Sequence, residues 1–204
     1  MRKFVLFVLV VLMTPGGVKA SGAPVGLSAP GAVTNPVPAP VIGSSQAWYD
    51  TAWSHVKQTW MEGKIEAYVP FWTYHLPFAY TPSQRANYNE FPAGFGLGKG
   101  RYNSSGNWEG IYAMGFSDSH SQPSFMVGYG WIPTWQVNQS GLKLGVGLTA
   151  FLMSRSDYWG GVPFPGVLPV ASIGNKNLNI QAAYVPGGQG NGNVIFAWAK
   201  WTFD

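Results

Sequence analysis

The chain has 204 residues, of which 46% are hydrophobic, 16% aromatic and only 10% charged, with 27 Gly, 10 Trp and no Cys. A charged fraction so far below the roughly 25% of an average soluble domain argues against an ordinary cytosolic globule; the missing cysteine excludes a disulfide framework, a thiolate metal site, a Cys nucleophile and an acylated lipoprotein Cys. The formal charge of +4 does not make a nucleic-acid binder, because Arg2, Lys3 and Lys19 fall in a leader-like segment, and beyond residue 20 nine basic and eight acidic side chains remain.

Arg2 and Lys3 precede an apolar run from Phe4 to Met13, which Thr14-Pro15-Gly16-Gly17 breaks before Val18-Lys19-Ala20. A basic start, a short apolar core and a small residue at the end are the order of a secretory signal, so residues 1–20 are expected to be a cleaved signal peptide. The ten apolar residues fall well short of the roughly 20 a membrane-spanning helix needs. Residues 21–45 are mainly Pro, Ala, Gly, Val and Ser without a charge, and read as a disordered spacer too rich in proline for a helix or central strand.

Ser44-Ser45 and Gly63 bracket an expected helix over 46–62. Tyr49, Ala52, Trp53, Val56 and Trp60 share one face, and Asp50, Ser54, Lys57 and Gln58 take much of the other. So much Trp and Tyr fits the headgroup layer better than a protein core, which makes this an amphipathic interfacial helix. His55 on it is expected to be merely solvated or interfacial.

From residue 63 to 204 the period changes from 3.6 to 2. Leu144, Val146, Leu148, Ala150 and Leu152 alternate with Lys143, Gly145, Gly147, Thr149 and Phe151; 126–131 and 177–184 alternate likewise. With Glu66–His75, Ala93–Tyr102, Trp108–Asp118, Val167–Ile173 and Val194–Phe203 this gives eight segments. Both faces are nearly uncharged, one apolar and the other Gly, Asn, Gln or Thr. A soluble sandwich would charge its outer face, so the pattern predicts an all-β fold: an eight-stranded antiparallel transmembrane β-barrel behind an N-terminal amphipathic helix.

Pro70, Pro92, Pro169 and Pro186 fall in or beside these strands. Proline offers no N–H to a ladder, so each either marks a strand end or opens a lateral slot in the wall. Gly128, Gly130, Gly145 and Gly147 recur at every second position, and either relieve crowding in a narrow barrel or leave room for an unbranched apolar chain. Among the few ionisable groups, His75, Asp118 and the neighbouring Ser119 sit at strand ends. A His, a carboxylate and a hydroxyl together suit proton transfer at an ester.

The stretches YVPFWTYHLPFAY (68–80), YNEFPAGFGLG (88–98), GNWEGIYAMGFSDS (106–119), VGYGW (127–131), VLPVASIG (167–174) and YVPGGQGNGNVIFAW (184–198) resemble the outer-membrane lipid A palmitoyltransferase family in unchanged order. So does the helix, through the spacing of Trp48 and Trp60. The resemblance implies transfer of a palmitoyl chain from the sn-1 position of a phospholipid to a hydroxyacyl chain of lipid A, with no metal or other cofactor and no nucleic acid. It implies His75, Asp118 and Ser119 as the active residues, with Asp118 fixing the tautomer of His75. It implies Gly130 as the end of the acyl-chain pocket, and lateral openings at Pro70 with Pro92 and at Pro169 with Pro186. The family position linked to lipopolysaccharide recognition aligns with Glu109 and that linked to phospholipid gating with Gln189; both depart in residue type. The implied partners are a phospholipid donor and a lipid A acceptor, in the outer membrane of a Gram-negative bacterium, and a homodimer is left open. Two rivals are carried beside this reading: a non-catalytic adhesin or structural barrel, and a lipid A deacylase or phospholipase. Adjacent residues of a regular strand point to opposite faces, so Asp118 and Ser119 can both serve His75 only where the strand has ended or bulges.

Overall fold

A strand wall in hydrocarbon must leave few backbone groups unpaired, because each costs several kcal/mol there. The alternating segments meet that demand by closing on themselves. The computed structural model describes residues 46–204 apart from Asn138 and Asp157; the expected signal peptide, the spacer and the capping serines Ser44 and Ser45 lie outside the described residues. The strands are β1 (Lys64–His75), β2 (Gly94–Tyr102), β3 (Trp108–Ser117), β4 (Pro123–Ile132), β5 (Thr134–Gln136), β6 (Lys143–Arg155), β7 (Phe164–Gly174), β8 (Leu178–Val185) and β9 (Val194–Thr202), each antiparallel to its neighbours. β4 and β5 are one wall strand interrupted at Pro133, since Trp131 opposite Leu148 and Thr134 opposite Gly145 keep a single register on β6. With β1 paired to β9 and β4 to β6, the sheet has no end and the fold is an eight-stranded antiparallel transmembrane barrel.

The sequence reading stops short at one end of three strands. β4 begins at Pro123, β6 runs on to Arg155 and β7 begins at Phe164, where Pro, Ser and Gly break the apolar alternation without breaking the pairing. A further short helix, α2 (Pro82–Ala86), was not expected; Thr81 and Gln84 cap its start reciprocally and Pro82 opens it.

The outward positions are apolar and exposed. Val127, Val146, Leu148, Leu152, Val167 and Ile173 make a belt, with Trp131, Trp135 and Trp201 at one rim and Phe71, Trp72 and Phe125 at the other. An apolar band between aromatic girdles is the outer face of a membrane barrel. Inside, the two halves differ. One buried apolar cluster runs through the interior: toward the rim that carries His75, here the upper end, it is Met114, Phe116 and Met126 with Phe151, Met153, Leu168 and Phe196 packed on it, and below them it continues as Tyr68, Trp108, Ile132 and Trp198. Toward the lower end the buried interior carries Glu66, Lys200, Thr202, Asn179, Gln181 and Ser172. β2 offers only glycine to most of this interior, and a side chain at Gly94, Gly96 or Gly98 would collide with Phe116, Met114 or Tyr112. Bulky residues on β3 therefore depend on the absence of any on β2.

Two of the eight seams are incomplete, both at the upper end. β1 pairs with β2 only from Lys64 to Tyr68, and the pairing is lost at Pro70, beside a bulge between Pro70 and Trp72. β7 pairs with β8 only from Val170 to Gly174, so Phe164 to Pro169 pair with β6 alone. The ladder thus ends beside Pro70 and beside Pro169, and the prolines mark both strand-pairing limits and breaks in the wall.

α1 (Gln46–Glu62) lies against the outer wall at the lower end, and Gly63 N–H donates to Thr59 O (3.0 Å) to close it. The side that the helix turns to the barrel lies between the two faces read from the sequence, and Asp50, Ser54, Lys57 and Gln58 stay exposed. His55, Val56 and Thr59 face inward while Tyr49, Trp53 and Trp60 stay exposed. His55 is therefore no solvated bystander: its Nδ1 lies 2.8 Å from Glu109 Oε1, and Arg101 reaches Glu62 (3.0 Å), Gln58 (2.7 Å) and Glu109 (3.0 Å).

Candidate functional site

β1 delivers His75 to the upper rim, where its side chain is buried, and Leu76 N–H then donates to Asn193 O (3.0 Å). The long β1–β2 connection folds back over the barrel mouth. Thr73 N–H donates to Glu90 O (2.8 Å), Asn89 N–H to Ser119 O (2.9 Å), and Gly190 N–H to Ala79 O (2.8 Å). These bonds tie it to the β3–β4 turn and to the β8–β9 connection, and set two tyrosines on the imidazole. Tyr88 stacks on His75 (4.4 Å between ring centres, 17° between planes) and Tyr80 meets it edge-on at 4.9 Å. His120 is edge-on to Tyr88 at 5.2 Å. Tyr80 donates to Gly192 O (2.6 Å), and burial pushes its phenol above the usual range, so it remains a neutral donor.

His75 Nδ1 is buried and has no partner among the described residues. An unpaired buried ring nitrogen is costly, so Nδ1 keeps an unused hydrogen-bonding position. Asp118 does not fill it. Its Oδ1 accepts from the amides of His120 (2.9 Å) and Gln122 (2.9 Å), and its Oδ2 from Arg155 (3.0 Å). The expectation that Asp118 fixes the tautomer of His75 is thereby corrected: the carboxylate closes its own tight turn and pairs with a cation. β3 has ended at Ser117, so strand alternation no longer separates Asp118 from Ser119. Ser119 contributes its carbonyl, which holds Asn89 next to Tyr88.

Arg155, Tyr80, Tyr88 and His120 were not singled out in the sequence. Arg155 was legible, because the alternation that places Lys143, Gly145 and Gly147 inward continues in phase to it. The tyrosines and His120 lie in connections, where no period reveals facing.

The remaining expected residues divide between the ends. Pro70 and Pro92 are buried at the β1–β2 gap; Pro169 and Pro186 are exposed at the β7–β8 gap. Gln189 sits on the β8–β9 connection near the second gap and donates to Phe78 O (3.3 Å), lining a rim cleft with Phe78 and Tyr80. Gly130 faces the interior opposite Gly110, lower in the barrel. Glu109 does not join the rim. It lies on the outer wall at the lower end, fully buried under α1, with Oε1 taken by His55 and Asn103 and Oε2 by Thr59 and Arg101.

Comparison with known proteins bears on this arrangement. The family described as antimicrobial peptide resistance and lipid A acylation protein PagP matches residues 55–200. A protein of Methylobacillus flagellatus named lipid A acyltransferase PagP is 46% identical over 155 residues, covering 76% of this chain and 83% of its own. A protein of that name in Bordetella pertussis is 40% identical over 170 residues, 82% of this chain and 93% of the relative, and one in Salmonella typhi is 39% identical over 165 residues, 80% and 86%. A buried histidine at the mouth of a closed eight-stranded barrel, within a match that runs almost the length of the described chain, leaves one assignment: the chain belongs to the PagP family of lipid A acylation proteins.

Proposed function

We propose that this protein resides in the outer membrane, exported by a signal peptide over residues 1–20, and transfers a palmitoyl chain from the sn-1 position of a phospholipid to a hydroxyacyl chain of lipid A. Membership of the family supports acylation of lipid A. The observation that carries the finer reading is the position of His75: an open, buried imidazole nitrogen at the head of an apolar interior, between two breaks in the wall.

In this reading a phospholipid chain passes between β7 and β8, or between β1 and β2, and lies among Met114, Met126 and Met153. Methionine is unbranched and adapts to a guest chain, and each methylene that leaves water contributes roughly 0.8 kcal/mol to holding it. The ester carbonyl then stops at the rim. The acceptor hydroxyl loses its proton to His75 as its oxygen bonds to the acyl carbon, the sn-1 ester bond breaks, and the same proton leaves on the glycerol oxygen. Tyr88 and Tyr80 hold the imidazole in place, and the Asp118–Arg155 pair holds the turn that bears Ser119. The arrangement calls for no acyl-serine, and direct transfer is the proposal. Gln189, bridging two rim connections, is placed to govern donor access. Glu109 receives no role in recognising lipopolysaccharide, because α1 covers it and all its bonds are internal.

Mass spectrometry of lipid A from cells with and without the gene, and with His75→Ala, tests the assignment. A palmitoyl mass added by the wild type alone supports transfer. Lost acyl mass would make the protein a hydrolase, and an unchanged lipid A would make it a non-catalytic barrel.

A further inference from the structure

Two of the chain's few charges, Glu66 and Lys200, take no part at the rim, yet they are sealed inside the lower half at 1% and 0% exposure. Lys200 Nζ donates to Glu66 Oε1 (2.6 Å) and to Thr202 Oγ1 (3.0 Å), and Thr202 donates to the same Glu66 oxygen (2.9 Å). A buried ion pair loses so much hydration that it adds little to stability over an apolar pair of equal size. Stability alone does not account for this one.

Its neighbours do. Trp108 Nε1 donates to Glu66 Oε1 (3.2 Å), and Lys200 Nζ lies 5.3 Å from the centre of the same indole. Tyr68 donates to the other carboxylate oxygen (2.6 Å). On its far side the indole takes the room left by two paired glycines: a Cβ on Gly130 would come within 2.7 Å of Trp108 Cζ3, and one on Gly110 would meet the same ring. Gly130 is thus not an empty end of the interior. It is the recess into which Trp108 is pressed, with the edge of the ring fixed by Glu66 and its face by Lys200.

We infer that the Glu66–Lys200 pair is a positioning device that fixes the height of the Trp108 indole as the end-stop of the acyl chain, and so sets which chain length is transferred. The inference rests on the acyl-transfer reading above. A rigid stop rejects one extra methylene by about 10- to 200-fold, whereas burial alone changes preference only about fourfold per methylene. The pair converts the second situation into the first.

The test compares wild type, Glu66→Leu/Lys200→Met and Lys200→Arg, reconstituted with phospholipids whose acyl chains are palmitoyl or one or two carbons longer or shorter. The readout is the ratio of chain lengths on lipid A, which a uniform loss of folded enzyme does not move. The double variant is expected to accept the longer chains, losing about tenfold or more of the rejection, while Lys200→Arg keeps the wild-type ratio. A second readout needs no turnover: the indole Nε1–H resonance of Trp108, identified by its loss in Trp108→Phe, is expected to shift and exchange faster in the double variant. An unmoved indole, or a moved indole with an unmoved ratio, overturns the inference. If the double variant does not fold, Trp108→Phe replaces it, since a smaller ring on the intact pair must lower the stop and admit longer chains; an unchanged ratio there also overturns it. A wild type that transfers nothing defeats the transfer reading instead, and the indole measurement still judges the clamp.

Discussion

The two halves of the barrel solve opposite problems with the same eight strands. In the lower half every seam is paired, the interior is crossed by charged and amide groups, and α1 seals a polar cluster on the outer wall. In the upper half two seams are open, the interior is Met and Phe, and the mouth is covered by connections instead of strands. Unpaired backbone is costly in lipid, so the upper half is the less stable of the two by construction. On the proposed reading, rigidity and access are segregated along the axis, with the chemistry assigned to the boundary of the open half and the measuring of the chain to the closed one.

The strongest way to break this division is at the rim. His75→Ala is expected to leave a folded, heat-modifiable barrel and to lower transfer by about 100- to 10,000-fold, the range that general acid–base catalysis supplies. Full activity in a verified His75→Ala barrel would remove the imidazole from the mechanism. Next comes the open seam itself. The register that pairs Val170 with Ala183 would next bring Pro169 opposite Tyr184, and the chain has no cysteine of its own. Pro169→Cys/Tyr184→Cys therefore gives one defined disulfide across the gap. Oxidised, it is expected to slow transfer by about tenfold, equivalent to about 1.4 kcal/mol of barrier, and a reductant should restore the rate. A cross-linked barrel of normal activity would assign lipid passage to the β1–β2 gap.

How far this division was legible in the sequence follows from what each half is made of. Period-two alternation over 143–152 or 177–184 declares a wall whatever lies above it, so the barrel and its lipid face could be read directly. The prolines announced breaks, but only pairing registers show that both gaps open at one end. His75 stood out because charges are scarce. Its setting did not, because Tyr80, Tyr88 and His120 reach it through connections held by backbone hydrogen bonds. Asp118 was legible as a rim residue and misread as the partner of His75, since an Asp followed by a tight turn spends its oxygens on its own amides. Glu66 and Lys200 are 134 residues apart, and only closure of β1 on β9 brings them together.

A smaller effect separates the halves by size of side chain. Gly130→Met intrudes on the recess that holds Trp108, and overfilling a packed interior costs about 1–3 kcal/mol. The indole must move up into the chain's path, so an active Gly130→Met enzyme is expected to transfer chains shorter by one or two methylenes. Donor competition among phospholipids of mixed length measures this, and an unchanged choice of palmitate would place the end of the chain elsewhere.

The least effect is expected where the lower half repeats its ion-pair chemistry in water. Lys64 donates to Asp204 Oδ1 (2.8 Å) and Asn177 to Oδ2 (2.8 Å), and these hydrogen bonds, with the charge of Lys64, hold the Asp204 carboxyl below its usual range. A depressed carboxylate pKa means that the contribution is present above the unfolded Asp pKa and is lost as pH falls through the folded value, so any benefit exists at neutral pH and vanishes in acid. Both partners are exposed, however, with 45% and 71% of their side-chain surface open, and an exposed pair is screened and held loosely. Asp204→Asn should therefore leave the urea midpoint of the reconstituted barrel unchanged at neutral pH and should flatten only a faint acid dependence. The buried pair at Glu66 has the same chemistry without the water. If Asp204→Asn lowered the midpoint as much as Lys200→Met alone does, which strands the Glu66 carboxylate in the interior, burial would not be what distinguishes the interior pair, and the closed half would owe its rigidity to its rim.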